Sequence, residues 1–272
     1  MEVIIQPDPA AASLLAARRI GALIRNKPQA VLGLAIGSAH KLVYSELIRM
    51  YQNEGLDFSQ VSTFNFDEYL GLPPAHPSSC YHFMRENLFD QININIAQTH
   101  VPDGCVSRAE MVRSCAEYEG EIRDSGGIDL QILGIGSDGR VGFHEHGSSL
   151  VSRTQMKTFS PRILAENMRR FASDVAVPRH VITMGIGTIM EARSILLLAF
   201  GENKAVAAAR AVEGPITGSN PASILQAHLD AAFYLDESAA TRLNHSEQYR
   251  WAFEQKQEWQ SESSDCEGCL QL

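Results

Sequence analysis

Short apolar or β-branched runs alternate along this chain with longer stretches whose apolar residues recur every three or four positions. The short runs predict strands at 2–6, 30–36, 60–65, 128–135, 180–184, 194–200 and 231–235. The longer stretches predict helices at 9–25, 41–52, 107–123 and 204–211. The run at 30–36 is apolar on successive residues, as a strand buried on both faces is, and 128–135 is apolar apart from Asp129 and Gln131. The rhythm therefore predicts an α/β fold, a mostly parallel sheet with helices on both faces. Both of those strands run into glycine, and in such sheets chemistry gathers beyond the carboxyl ends of the strands.

No repeat or linker interrupts the first 240 residues, and 1–244 reads as one domain with a small helical lid around 153–175. The segment 245–272 reads as a polar C-terminal tail of Glu, Gln, Ser and Asp. Within it, 246–260 has the length of a helix, with Trp251, Phe253 and Trp259 available to dock it. Cys266 and Cys269 stand at the CxxC spacing there, but a lone pair near a terminus is weak evidence for metal or redox use and reads more readily as an ordinary polar tail.

Composition narrows the class further. The 272 residues suffice to bury roughly three quarters of the unfolded surface. Lys and Arg number 23 against 32 Asp and Glu, a net charge of −9 with no long basic run. This argues against nucleic acid or an anionic membrane surface as a partner and requires any anionic ligand to find a local cationic pocket. No apolar run reaches the roughly 18 residues of a membrane span. Five cysteines without disulfide spacing, and no secretory leader pattern at the N-terminus, lead to the expectation of a cytoplasmic protein.

Three segments concentrate candidate chemistry. The first, Gly33-Leu34-Ala35-Ile36-Gly37-Ser38-Ala39-His40, joins a strand to a helix through a glycine turn; it suits a phosphate on helix N–H groups or serves as a plain connection. The second, Phe64-Asn65-Phe66-Asp67-Glu68-Tyr69, ends a strand in two adjacent carboxylates, of which at most one faces a pocket; a buried one makes a general base, an exposed one a helix cap. The third, Gly136-Ser137-Asp138-Gly139-Arg140-Val141-Gly142-Phe143-His144-Glu145-His146, is dense in titratable groups. His144 and His146 lack a third metal ligand at a familiar spacing. Arg153, Lys157, Arg169, Arg170 and Lys204 are the cations available to an anion, and Lys204 stands at a strand-to-helix junction.

Taken in order, these segments resemble the glucosamine-6-phosphate deaminase family over about 1–244. The resemblance rests on Phe64 through Pro73 with His76-Pro77, Ser148 through Thr154, Gly185-Ile186-Gly187-Thr188 with Met190-Glu191-Ala192, Lys204, and Ala211-Val212-Glu213-Gly214-Pro215. It implies a modified Rossmann-like fold and conversion of an aminosugar 6-phosphate to the ketose 6-phosphate and ammonia, without cofactor or metal. It implies Asp67 as the base acting between C2 and C1, and Asp138 and Glu145 as the acids flanking a ring-opening histidine. Gly37, Ser38, Arg169 and Lys204 would hold the phosphate, with Arg170 competing with Arg169 for that place. Its members are often homo-oligomers, so one is expected here.

The chain departs from the family at chosen points. Arg140 stands where the family carries its ring-opening histidine, and an arginine keeps its proton far above neutral pH and cannot serve as a neutral base. The phosphate turn, Thr-Gly-Ser-Thr-Pro in the family, is Ile36-Gly37-Ser38-Ala39-His40, with two hydroxyls fewer. Gln155 replaces an effector-site arginine, so the resemblance gives no ground for allosteric regulation. The readings that follow are a deaminase, a sugar-phosphate-binding relative without turnover, and a lactonase-like hydrolase.

Overall fold

The computed structural model describes residues 1–168, 171 and 177–267. Its centre is a seven-stranded sheet, every pairing of which is parallel. The strands are β1 (Glu2–Gln6), β2 (Val31–Leu34), β3 (Ser62–Asn65), β5 (Thr99–His100), β6 (Leu130–Gly134), β9 (Ser194–Ala199) and β10 (Ala231–Asp236). They lie in the order β1-β10-β9-β6-β2-β3-β5.

Successive strand residues feed two separate cores, which is why both alternating sets of strand positions are largely apolar. Ile4, Leu32, Leu34, Leu130, Ile132, Leu196 and Leu198 pack on one face against α1 (Pro9–Asn26) and α2 (Ser38–Glu54), through Ala16, Ile20, Tyr44 and Leu47. Their neighbours Val3, Ile5, Val31, Leu133, Ile195, Leu197 and Phe233 pack on the other. There they meet Tyr118 and Ile122 of α4 (Met111–Asp124), Ala207, Ala208 and Ala211 of α7 (Ala205–Val212), and Ala239 and Ala240 of α8 (Glu237–Ala240). α1 starts where expected because the Asp8 carboxylate accepts the Ala11 N–H at 2.8 Å and Pro9 occupies the first turn.

A second, three-stranded sheet crosses the top of the first, in the order β4-β8-β7. It contains β4 (Asp67–Tyr69), β8 (His180–Thr183) and β7 (Gln155–Thr158), and both pairings are antiparallel. The 180–184 run is a strand as predicted, but it belongs to this sheet. Local sequence sets extended conformation, while the partner is chosen by contacts far away in the chain. The region expected as a helical lid opens with strand β7 before α5 (Pro161–Met168), and Phe159, Ile163, Phe171 and Val181 form a small core beneath them. Helices α3 (Cys80–Asn87) and α6 (Ile186–Met190) had no counterpart among the predicted helices.

The C-terminal segment carries α9 (Ser246–Glu267), which lies against β1 with Phe253 turned toward the α1–α2 core. Lys256 pairs with Glu2 at 2.9 Å. Cys269 lies outside the described residues, as does the Cys266 side chain. No described helix is long and apolar enough to cross a membrane.

Candidate active site

A cavity of about 350 Å³ opens at the carboxyl ends of β2, β6 and β9, beside the start of β4. Its wall contains the whole 36–40 turn, Asp67, the 134–136 turn, Arg140, Glu166, Phe200 and Lys204. Of the residues singled out in the sequence, Gly37, Ser38, Asp67 and Lys204 therefore meet in one place, whereas Asp138 and Glu145 stand behind the wall.

The backbone of the 36–40 turn brings the N-terminus of α2 to the cavity wall. Gly37 has φ +149°, a conformation glycine adopts without strain, and it stands at the N-cap of α2, which starts at once with Ser38. The first helical bond runs from Lys41 N–H to the Gly37 carbonyl at 3.2 Å. The N–H groups of Ser38, Ala39 and His40 precede it, without intrahelical acceptors and at the positive end of the helix dipole. Lys204 approaches from the 3-10 turn before α7. That turn is held by Asp236 at the end of β10, whose carboxylate accepts the Gly201 N–H at 2.9 Å and also caps α8 at the Ala239 N–H. Arg169 and Arg170 lie outside the described residues.

The two acids that follow β3 part company. Asp67, 6% exposed, opens β4 opposite Thr183 and faces the cavity. Burial raises its carboxyl well above the ordinary value, and the nearby Glu68 charge adds to this while Thr183 pulls the other way. Its Oδ1 atom has no hydrogen-bond partner among the described residues. Glu68 turns away and accepts the N–H groups of Tyr69, Cys80 and Tyr81 at 2.8, 2.9 and 3.0 Å, thereby capping α3. Burial raises the Glu68 carboxyl too, and those three N–H groups oppose the rise.

The acid-rich loop forms a closed ring of ion pairs with α5. Arg140 donates to Asp138 at 3.0 Å and to Glu166 at 2.8 Å, and Arg162 completes the ring by pairing with Asp138 and Glu166. Burial by itself would raise the Asp138 carboxyl; Arg140 and Arg162 outweigh it and hold Asp138 below its usual value. Glu145 faces the start of α5, accepting the Ser160 N–H at 3.1 Å and the Ser160 hydroxyl. Glu166 and Arg162 carry no motif; their spacing of four residues on a helix face was the one signal that they pair.

The three histidines of the region occupy different worlds. His144 is wholly buried, its Nε2 2.7 Å from the Met184 carbonyl oxygen, and burial lowers its pKa to about 4. His146 stands on the surface 4.0 Å from Asp138, so the two do not converge on a common ligand. Among the described residues, the only imidazole in the cavity wall is His40. The sequence reading counted this residue only as part of a turn with fewer hydroxyls, because nothing in a linear motif reveals that its ring turns inward. Gln155 lies on β7, away from the cavity.

The family model for glucosamine-6-phosphate isomerases/6-phosphogluconolactonase matches residues 9–233. The chain belongs to that family. Within it, the chain is 46% identical to a glucosamine-6-phosphate deaminase of Arthrobacter sp. (strain FB24), over 96% of this chain and 99% of the relative. A solved structure described as a monomeric glucosamine-6-phosphate deaminase superposes with a TM-score of 0.85 at 38% identity, covering 89% of this chain and all of that one. The 6-phosphogluconolactonase of Trypanosoma cruzi superposes with a TM-score of 0.72 at 23% identity, covering 89% and 97%, a likeness of fold. The modified Rossmann-like α/β architecture implied by the family motifs is the one this chain adopts.

Proposed function

We propose that this protein is a glucosamine-6-phosphate deaminase, converting glucosamine 6-phosphate and water to fructose 6-phosphate and ammonia. The observation that carries the reading is the Asp67 carboxyl, buried in a cavity lined also by the N-terminus of α2 and by Lys204. A carboxylate with raised proton affinity, sharing a cavity with a helix N-terminus and a lysine, suits a base working on C1 and C2 of a sugar anchored by its 6-phosphate. Asp67 takes the C2 proton of the open-chain aldehyde and returns it to C1, while O1 gains a proton and the C2 amine gives one up, so the aldehyde becomes a hydroxyl and the amine an imine. Water then adds at C2 and ammonia leaves. Gly37 and Ser38 receive the phosphate through backbone N–H groups, and Lys204 supplies the counter-charge, with Arg169 joining them by family resemblance.

Asp138 and Glu145 act as positioning residues, holding the 138–145 loop and α5 beside the substrate. Arg140, engaged by both Asp138 and Glu166, supports a slow ring-opening step, since no neutral imidazole stands at that position. The domain reading places catalysis in 1–244. A sugar-phosphate substrate, together with Cys80, Cys105 and Cys115 carrying no disulfide, supports a cytoplasmic location. For self-association, the exposed Val112 and Met156 at a groove between α4 and β7 argue in favour and the monomeric 38% identical neighbour against; the mass in solution by light scattering decides.

The phosphate assignment is tested by Lys204→Ala. It should raise KM for glucosamine 6-phosphate by about tenfold or more while leaving the weak affinity for glucosamine unchanged. Equal losses for both sugars would remove Lys204 from the phosphate.

A further inference from the structure

The imidazole of His40 has no task in the reaction as written above. It is the third residue of α2, 3% exposed, in the wall of the cavity. The ring is wedged between the two turns that bound the site: a Cβ on Gly37 would stand 3.1 Å from Nδ1, and one on Gly134 would stand 2.9 Å from Cε1. Neither ring nitrogen has a hydrogen-bond partner among the described residues.

A neutral imidazole carries one N–H donor and one acceptor nitrogen, and a buried donor left without an acceptor destabilises the fold. A hydrocarbon side chain would fill the same wedge at lower cost. The ring thus waits for an acceptor that the chain itself does not provide, at a cavity wall already shaped for an anion by the α2 N-terminus and Lys204. Ile36 and Ala39 offer no hydroxyl in this turn, so a side-chain donor to the anion from these positions has to come from Ser38 or His40.

We infer that His40 is a substrate-binding residue whose imidazole N–H donates to the phosphate group seated on the N-terminus of α2. The inference rests on the phosphate reading of that turn given above. A phosphate is the fitting chemistry because its oxygens accept without needing donors in return, and a charge-assisted bond formed away from water is stronger than a neutral one.

Inorganic phosphate is the probe. Its dissociation constant is measured by calorimetry on the natural protein and on His40→Leu, His40→Gln and Lys204→Ala. In parallel, the histidine ring nitrogens of the natural protein are followed by nitrogen-15 NMR as phosphate is added, the His40 signals being assigned through His40→Gln. The expected results are a shift of the His40 ring nitrogens at saturation and affinity about tenfold to a hundredfold weaker in His40→Leu. Gln keeps an N–H donor and should recover part of that loss, and the melting temperature of His40→Leu should equal or exceed that of the natural protein. Unmoved ring nitrogens at saturation would overturn the inference. So would a His40→Leu protein that binds phosphate normally but melts earlier, since the ring would then be a packing wedge. If Lys204→Ala weakens binding and His40→Leu does not, the phosphate seat stands and His40 is excluded from it. If the natural protein binds no phosphate, both readings fall. Should His40→Leu fail to fold, the ring nitrogens of the natural protein decide.

Discussion

Asp67 sits where β3 gives way to β4, and its burial has a consequence for stability as well as for catalysis. Its folded-state proton affinity is raised above the ordinary value by desolvation. The fold therefore favours the neutral carboxyl, and stability is retained at acid pH and lost as pH rises through the raised value. Asp67→Asn, neutral at every pH, should melt close to the natural protein near pH 4.5 and above it at pH 8, as read by thermal unfolding at the two pH values. A gap that fails to widen with pH would show that the carboxyl is better solvated than its surroundings imply. Arg140→His tests the neighbouring loop: ammonia release from the ring form of the substrate should rise, by up to about a hundredfold if the imidazole acts as a positioned base. An unchanged rate would mean that ring opening does not depend on residue 140. Asp67 was legible from the sequence because a motif and an apolar strand both pointed to it. That Glu68 turns away could be expected from the alternation of side chains, but its partners, the N–H groups of Cys80 and Tyr81, lie too far along the chain to be read. His40 was illegible for the opposite reason, its meaning residing wholly in burial and unmet hydrogen bonds.

α5 is held both by apolar contact, through the buried Ile163 and the half-buried Leu164, and by ion pairs of Arg162 with Asp138 and of Glu166 with Arg140. Arg162 and Glu166 are 44% and 37% exposed, so each pair with them is worth at most about 1 kcal/mol, and salt weakens it. Opening Arg162→Met should accordingly speed amide hydrogen exchange over 161–168 while leaving the central strands as protected as before. Exchange that accelerates in both would place Arg162 in global rather than local stability. The elements themselves were read unevenly. β2 and β9 are apolar on successive residues because both faces are covered, and that pattern needs no partner to be recognised; β6, Leu-Gln-Ile-Leu-Gly, keeps it except at the buried Gln131. β7, Gln-Met-Lys-Thr, alternates half-buried and exposed positions, so it has neither the run of a buried strand nor the stripe of a helix. α2 begins three residues before the predicted start, since the glycine turn rather than apolar spacing decides where its first N–H groups lie.

At the scale of the molecule, α/β class followed from rhythm, whereas strand order and the split into a parallel and an antiparallel sheet did not. β1 and β10 are neighbours although they are the first and last strands, and β4 leaves the central sheet one residue after β3 ends in it. That departure brings Asp67 into the cavity at the carboxyl ends of β2 and β6, in whose wall the N-terminus of α2 also lies. The central claim is that this geometry releases ammonia from glucosamine 6-phosphate through Asp67. The direct test is a coupled assay of ammonia and fructose 6-phosphate with the natural protein and with folded Asp67→Asn. The account predicts equimolar products from the natural protein and none above background from Asp67→Asn. A natural protein that binds the sugar phosphate without releasing ammonia, or an Asp67→Asn protein that keeps the natural rate, would contradict it.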